Sequence, residues 1–372
     1  MNKFIVCSII FATILLVGCN DAIIRTSYKP PSYSTIVSKK IDISQIKKVS
    51  WRQVPGWQSD SMIGAVHALH QNCLRLGLKI EWYKTCMVVN ELSELDANSV
   101  RALLEANFMP YEFTNNEGPY GLVTGYYEPS LHGSHVRSDK YKYPLYRWPF
   151  FYHTNTLLPS RANLKCDGIL NGNELVWIDD QINAFFLQVQ GSGQVLFEDG
   201  SVMYISFDGT NNQPYHSIGK WLIDHGEVKP SQATMQGIKA WAHANPARID
   251  MLLNINPRFV FFKEIRTEKR KSHCNTDGPI GAFGVHLTPK RSIAVDPLFI
   301  PLGTAVFLQT TYPETTTPMN RLVFAQDIGS EIKGRLRVDY FWGFGEDAAN
   351  QAGKMKQVSR MWLLLPKDNT DG

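Results

Sequence analysis

Arg337-Val338-Asp339-Tyr340-Phe341-Trp342 sets an aspartate into an apolar run, the third such placement in the last third of the chain. Ser292-Ile293-Ala294-Val295-Asp296-Pro297 and Phe324-Ala325-Gln326-Asp327-Ile328-Gly329 are the other two, each an aspartate beside a short strand-like segment. A lone aspartate at a strand end ordinarily caps a turn. Three carboxylates thus recur at strand ends in one β-rich region. An acid catalyst needs a carboxyl that keeps its proton near neutral pH, and burial among apolar groups is what raises its pKa. Asp339 is followed by Tyr340, Phe341 and Trp342 and is expected to be raised in this way. Asp327 lies beside Gln326 and Gly329, where hydrogen bonding is expected to keep it ionised.

Outward from these motifs the texture stays β-rich. Gly121 to Tyr127, Leu175 to Ile178, Ala184 to Gln190, Gln194 to Phe197 and Val202 to Phe207 read as strands, with a hairpin turn at Phe197 to Ser201. Phe259 to Lys263, Ala305 to Gln309, Leu322 to Ala325, Arg337 to Trp342 and Met361 to Leu365 read likewise. Helical spacing of apolar residues marks Asp60 to Leu78 and Leu92 to Phe108, so that two helices open the body. Further helices are predicted at His216 to His225, Gln232 to Ala244, Ala247 to Asn254 and Glu346 to Lys356. The fold class is therefore mainly β with flanking helices.

At the other end, Lys3 precedes an apolar run from Phe4 to Val17, too short to span a bilayer and suited to the core of a secretory signal. It ends in Leu16-Val17-Gly18-Cys19, which has the form of a bacterial lipobox. Residues 1–18 are then a lipoprotein signal peptide, Cys19 the lipidated first residue, and the polar stretch 19–44 a tether. Asn20 rather than aspartate after that cysteine favours the periplasmic face of the outer membrane. A net charge of +4, with Lys and Arg scattered among acids rather than clustered, does not indicate a nucleic-acid binder.

Four cysteines remain in the body, Cys73, Cys86, Cys166 and Cys274, none at zinc-ligand spacing, so no metal site is predicted. Cys73 and Cys86 are placed to bridge a helical hairpin, one of several pairings open to four cysteines. Gly343-Phe344-Gly345-Glu346-Asp347-Ala348 imitates a dinucleotide fingerprint, but too little chain follows it for a nucleotide domain. His67 and His70 share a helix face but lack a third ligand in sequence.

The ordered set of motifs from about Pro119 to Leu365 resembles the membrane-bound lytic transglycosylase A family, whose C-terminal part is a three-aspartate domain. The resemblance runs through Gly121 to Pro129, Leu175 to Asp180, Phe185 to Gly193, Tyr215 to Gly219, Gly278 to Ala282 and the three aspartate segments. It implies a double-psi β-barrel from residues 45–118 and 245–372. A second, smaller β-barrel-like domain, residues 119–244, would be inserted to complete a glycan groove. It implies Asp339 as the single catalytic acid, with Asp327 and Asp296 supporting. Arg337-Val338 stands where relatives often carry His-Phe, a departure beside the acid. Thr124, Gly125, Tyr126, Tyr127, Gln190, Gly191, Ser192 and Gly193 are groove candidates, rich in neutral donors and flat rings.

The implied reaction is non-hydrolytic cleavage of the MurNAc–GlcNAc bond of peptidoglycan, without cofactor. The implied partners are glycan strands, the membrane through the N-terminal lipid, and cell-wall synthesis or remodelling proteins. Two rivals stand beside it. An inverting hydrolase would use two carboxylates roughly 6.5–9.5 Å apart. An expansin-like wall-binding protein would not cut at all.

Overall fold

The computed structural model describes residues 46–91, 97–153, 156–265 and 278–367. After β1 (Lys47–Lys48) come three helices, α1 (Ala65–Leu76), α2 (Ile80–Val89) and α3 (Ala97–Asn107), then β2 (Phe108–Phe113) and β3 (Gly121–Glu128). A second group follows, with β4 (Ser130–Ser134), β5 (Tyr143–Tyr146), α4 (Arg161–Cys166), β6 (Glu174–Ile178), α5 (Gln181–Gln190), β7 (Ser192–Leu196) and β8 (Val202–Thr210). Helices α6 (Ile218–Asp224), α7 (Met235–Ala244) and α8 (Ile249–Asn254) lead to β9 (Val260–Ile265). The chain ends in β10 (Ser292–Val295), β11 (Ala305–Thr311), β12 (Pro318–Ile328), β13 (Arg337–Phe344), α9 (Gly345–Lys354) and β14 (Lys356–Pro366).

Six strands close into a barrel in the order β3, β13, β10, β12, β11, β14 and back to β3. The pairs β3–β13 and β10–β12 are parallel and the others antiparallel. Strand β14 divides its free edge: Lys356 to Ser359 pair with β3, and Met361 to Pro366 pair with β2. Because helices cover the barrel, β10 is buried on both faces and β11 nearly so. Val123, Ile293, Val306, Phe324, Val338, Tyr340, Trp342 and Trp362 share the core.

Helix α1 lays Ala65, Leu69, Asn72 and Leu76 on this barrel, the i, i+4, i+7, i+11 stripe of an amphipathic helix. Its two buried amides are engaged: Gln71 Oε1 accepts from the His286 N–H (3.2 Å). Asn72 Nδ2 donates to the Gly303 carbonyl (2.8 Å), and Asn72 Oδ1 accepts from Gln326 Nε2 (2.8 Å). Gln326 Oε1 in turn accepts from Ser292 Oγ (2.5 Å). This buried network fixes β12 at the residue before Asp327. A second anchor is Asp60, fully buried, held by the Arg291 fork at 2.6 and 2.9 Å and by the Leu322 N–H at 2.7 Å. Cys73 and Cys86 are joined as a disulfide, tying α1 to α2, while Cys274 lies outside the described residues.

The second sheet runs β5-β6-β4-β7-β8-β9. Its edge strands β5 and β9 come into contact, so the sheet is strongly coiled. Sheet membership differs from the boundaries read in the sequence. Strand β3 belongs to the barrel and β9 to the second sheet, although 119 and 244 were the expected limits. An apolar run such as Phe259 to Phe262 signals a strand without saying which sheet it joins.

Two further expectations are corrected. Residues 184–190 are helix α5, not a strand: Asp180 caps its start by accepting from the Asn183 N–H (2.8 Å), and Gly191 ends it at φ 84°. A short apolar run cannot distinguish the two states, but those caps do. Three helices, not two, precede β2, since Trp82, Cys86 and Val89 bury one face of α2.

Candidate active site

Strand β10 lies between β12 and β13, and Ala294 stands opposite Asp327 on one side and Asp339 on the other. The β10–β12 register slips between Ile293 and Ala294, so that Asp327 and not Gln326 meets Ala294. Asp339 is paired across the parallel neighbour with Thr124. One rung of the barrel thus carries Asp327, Ala294, Asp339 and Thr124 in line. The two aspartates are two strand spacings apart, about 10 Å between Cα atoms. Ala294, the smallest side chain of the four, leaves the space between the carboxyls open.

Thr124 Oγ1 donates to Asp339 Oδ1 at 2.5 Å, and Arg337 Nη2 donates to Thr124 Oγ1 at 2.8 Å. Burial pushes the Asp339 carboxyl up to about 6. The Thr124 bond and the Arg337 charge oppose that rise, and the Asp327 charge adds to it. The direction agrees with the sequence reading, but the neighbours differ. Tyr340 and Trp342 point to the opposite face, where the Tyr340 hydroxyl donates to the Lys290 carbonyl (2.9 Å) and Trp342 Nε1 to Met355 Sδ (3.2 Å). Of the three aromatics only Phe341 alternates back to the side of Asp339, its ring centroid 5.1 Å from that of Tyr126.

Asp327 departs from expectation. Burial raises its carboxyl pKa despite hydrogen bonds from the Ala282 N–H to Oδ1 (2.9 Å) and from the Tyr126 hydroxyl to Oδ2 (3.1 Å). Desolvation therefore exceeds the hydrogen bonding that was expected to hold it low. Tyr126 itself is driven well above the ordinary phenol range by burial and by the charges of Asp327 and Asp339, so it stays a donor. The Gly-Pro-Ile-Gly-Ala segment, Gly278 to Ala282, serves the site through that one backbone N–H.

Asp296 is buried just past the end of β10, two residues beyond Ala294. Its Oδ2 accepts from the Gly334 N–H (2.9 Å) and its Oδ1 from the Leu298 N–H (3.1 Å), holding the loop between β12 and β13 to the end of β10. The groove candidates also divide. Thr124 and Tyr126 face the carboxyls. Gly125 faces the core, where a Cβ would lie 2.7 Å from Trp342 Nε1 and 2.9 Å from Ala352 Cα. The Tyr127 ring is buried on that same side. Gln190 Oε1 accepts from the Tyr127 N–H (3.3 Å), which places Gln190, Gly191, Ser192 and Gly193 at the junction of barrel and second sheet. Cys19 lies outside the described residues.

A family model described as the MltA specific insert domain matches residues 122–263, and one described as the 3D domain matches residues 291–365. The lytic transglycosylase LtgG of Burkholderia pseudomallei is 59% identical with a TM-score of 0.66, over 88% of this chain and 97% of that one. The chain belongs to the MltA family. The structure of MltA from Escherichia coli with bound chitohexaose matches at 28% identity and a TM-score of 0.71, over 90% of this chain and 99% of that one. The membrane-bound lytic murein transglycosylase A of Escherichia coli K12 is 35% identical over 255 residues, 66% of this chain and 66% of its own length. The chain thus spans just under two thirds of that curated MltA relative. The insert match ends close to Ile265, where the second sheet also ends.

Proposed function

We propose that this member of a lytic transglycosylase family cleaves the MurNAc–GlcNAc β-1,4 bond of peptidoglycan without water, with Asp339 as acid and then base. The observation that carries the reading is a single carboxyl held near pH 6 in a site where its neighbour is already occupied. Both Asp327 oxygens accept from fixed donors, which makes that carboxylate a poor base for activating water and disfavours the two-carboxylate hydrolase. Asp339 in its protonated form gives its proton to the glycosidic oxygen as the bond to carbon one breaks. The Asp339 carboxylate so formed accepts the proton of the 6-hydroxyl of the same muramyl residue, whose oxygen closes on carbon one. The product ends in 1,6-anhydro-MurNAc, and Asp339 is again protonated.

In this reading Thr124 orients the Asp339 carboxyl. Tyr126 donates to Asp327 and holds that carboxyl in place, and the negative charge of Asp327 favours the acid form of Asp339. Asp296 acts at a distance by holding a loop. A glycan-bound structure exists for the Escherichia coli relative, and the second sheet, as an inserted domain, would complete a groove for such a strand. Relatives are named membrane-bound, which fits an anchor through lipid on Cys19 at the periplasmic face of the outer membrane. No helix among the described residues is long and apolar enough to cross a membrane.

Mass spectrometry of sacculi digested with the purified protein tests the proposal. Anhydro-ended muropeptides that disappear with Asp339→Asn support it. Reducing-end products would move the assignment to hydrolysis, and wall binding without any soluble product would move it to a non-catalytic protein.

A further inference from the structure

Arg337 lies two residues before Asp339 on β13, on the same strand face and about 7 Å along it. It is half-buried, and every hydrogen bond it makes goes to a neutral oxygen. Nη1 donates to the Val338 carbonyl (2.8 Å) and the Leu122 carbonyl (3.5 Å), and Nη2 to Thr124 Oγ1 (2.8 Å). A guanidinium has five N–H groups. Nε–H and one Nη2–H therefore remain without a protein acceptor among the described residues. The negative group that acts on Arg337 is Asp339 itself, and in the state that starts the reaction Asp339 is protonated. At that moment a partly desolvated cation sits beside the scissile bond with no anion to meet it. Such a charge is costly to keep unless something neutralises it.

We propose that Arg337 binds a carboxylate carried by the muramyl residue whose bond Asp339 breaks, so that the enzyme prefers glycan from which the peptide stems have been removed. The inference rests on the transglycosylase reading of the site. A muramyl residue differs from its partner sugar by a lactyl ether on carbon three, whose carboxyl is a few bonds from carbon one. In stem-bearing peptidoglycan that carboxyl is consumed in an amide and is neutral. Once the amide is hydrolysed it is an anion, matched in shape to an arginine fork. A reaction of the amide-hydrolysing class would then supply the substrate. The second role of Arg337, holding Thr124, is compatible with this because it uses other hydrogens of the fork.

The test compares two substrates, purified glycan strands with their stems and the same strands stripped by muramyl-amide hydrolysis. Anhydro-end formation is followed by mass spectrometry with the wild type, Arg337→Gln and Arg337→Lys. A charge-assisted fork predicts that the wild type favours stripped strands by about tenfold or more in kcat/KM. That ratio should fall toward one in Arg337→Gln whatever its absolute rate, and to an intermediate value in Arg337→Lys. The ratio does not depend on how much of a variant is folded. Should Arg337→Gln be inactive, inhibition of the wild type by N-acetylmuramic acid, but not by its lactyl amide, gives the second measurement. Equal rates of wild type on both substrates, a preference that survives Arg337→Gln, or equal inhibition by acid and amide would each overturn the inference while leaving the transglycosylase reading intact. Reducing-end products from both substrates would instead overturn that reading.

Discussion

Asp339→Asn should abolish glycan cleavage and at the same time make the protein more stable. A carboxyl ordinarily titrating at 3.8 but held at about 6 resists ionisation in the folded state. The difference corresponds to about 3 kcal/mol lost once Asp339 is charged. The sign follows from the raised value. The stability associated with the protonated carboxyl is fully present below 3.8 and is lost as pH rises through about 6. Asparagine never ionises, and its Oδ1 still accepts from Thr124. Removing the negative charge also relieves Asp327. The variant should therefore melt about 6 °C above the wild type at pH 7.5, given about 2 °C per kcal/mol for a chain of this size. The gap should close as pH falls toward 4. Differential scanning calorimetry of both proteins across pH 4 to about 8, beside a sacculus digestion, makes the measurement. If Asp339 were instead an ordinary strand-end aspartate stabilised by its Thr124 bond, the variant would melt lower at every neutral pH. That outcome would refute the argument.

Three further outcomes follow from other parts of the molecule. Because the acid must be protonated, activity should decline as pH rises through about 6, and Thr124→Val, which removes a donor to the ionised form, should move that limb upward by about one pH step in a rate profile. Asp60→Asn leaves the nearly inaccessible Arg291 without its counter-ion and should cost about 3–5 kcal/mol by denaturant melts. The Arg291 pairing holds the Asp60 carboxyl low against the cost of its burial, so the wild type keeps that stability above 3.8 and loses it as pH falls through the lower folded value. Gly125→Ala would force a methyl against Trp342 and the α9 backbone, costing about 1–3 kcal/mol and displacing Thr124, with a fall in kcat measurable on glycan strands.

The three aspartate strands were legible because apolar residues around them alternate or run unbroken, and the structure places a strand at each. What the sequence could not supply was register. That Asp339 pairs with Thr124, 215 positions away, depends on a parallel ladder between β3 and β13. The direction of the Asp339 shift was readable, yet two of the three aromatics invoked for it lie on the other face. Asp327 was misread because its neighbours in sequence are polar while its neighbours in space bury it. The Asp60–Arg291 pair, 231 residues apart, has no local signature at all. Helix α5 could have been found. Asp180 and Gly191 bracket it with the usual cap residues, and only the apolar density of Phe185 to Val189 argued for a strand.

Strand β14 has a consequence for how the molecule comes into being. It is the last of the six barrel strands in chain order, and β3 and β11, both made earlier, have an edge satisfied only by it. Until residue 366 has been synthesised the ring stays open, with two strand edges unpaired and the rung of Asp327, Asp339 and Thr124 unsupported. The second sheet needs nothing beyond Ile265 for its pairing and can form sooner. A barrel whose decisive closure waits for its last strand stays open for most of its synthesis, whereas the second sheet is complete in sequence about a hundred residues earlier.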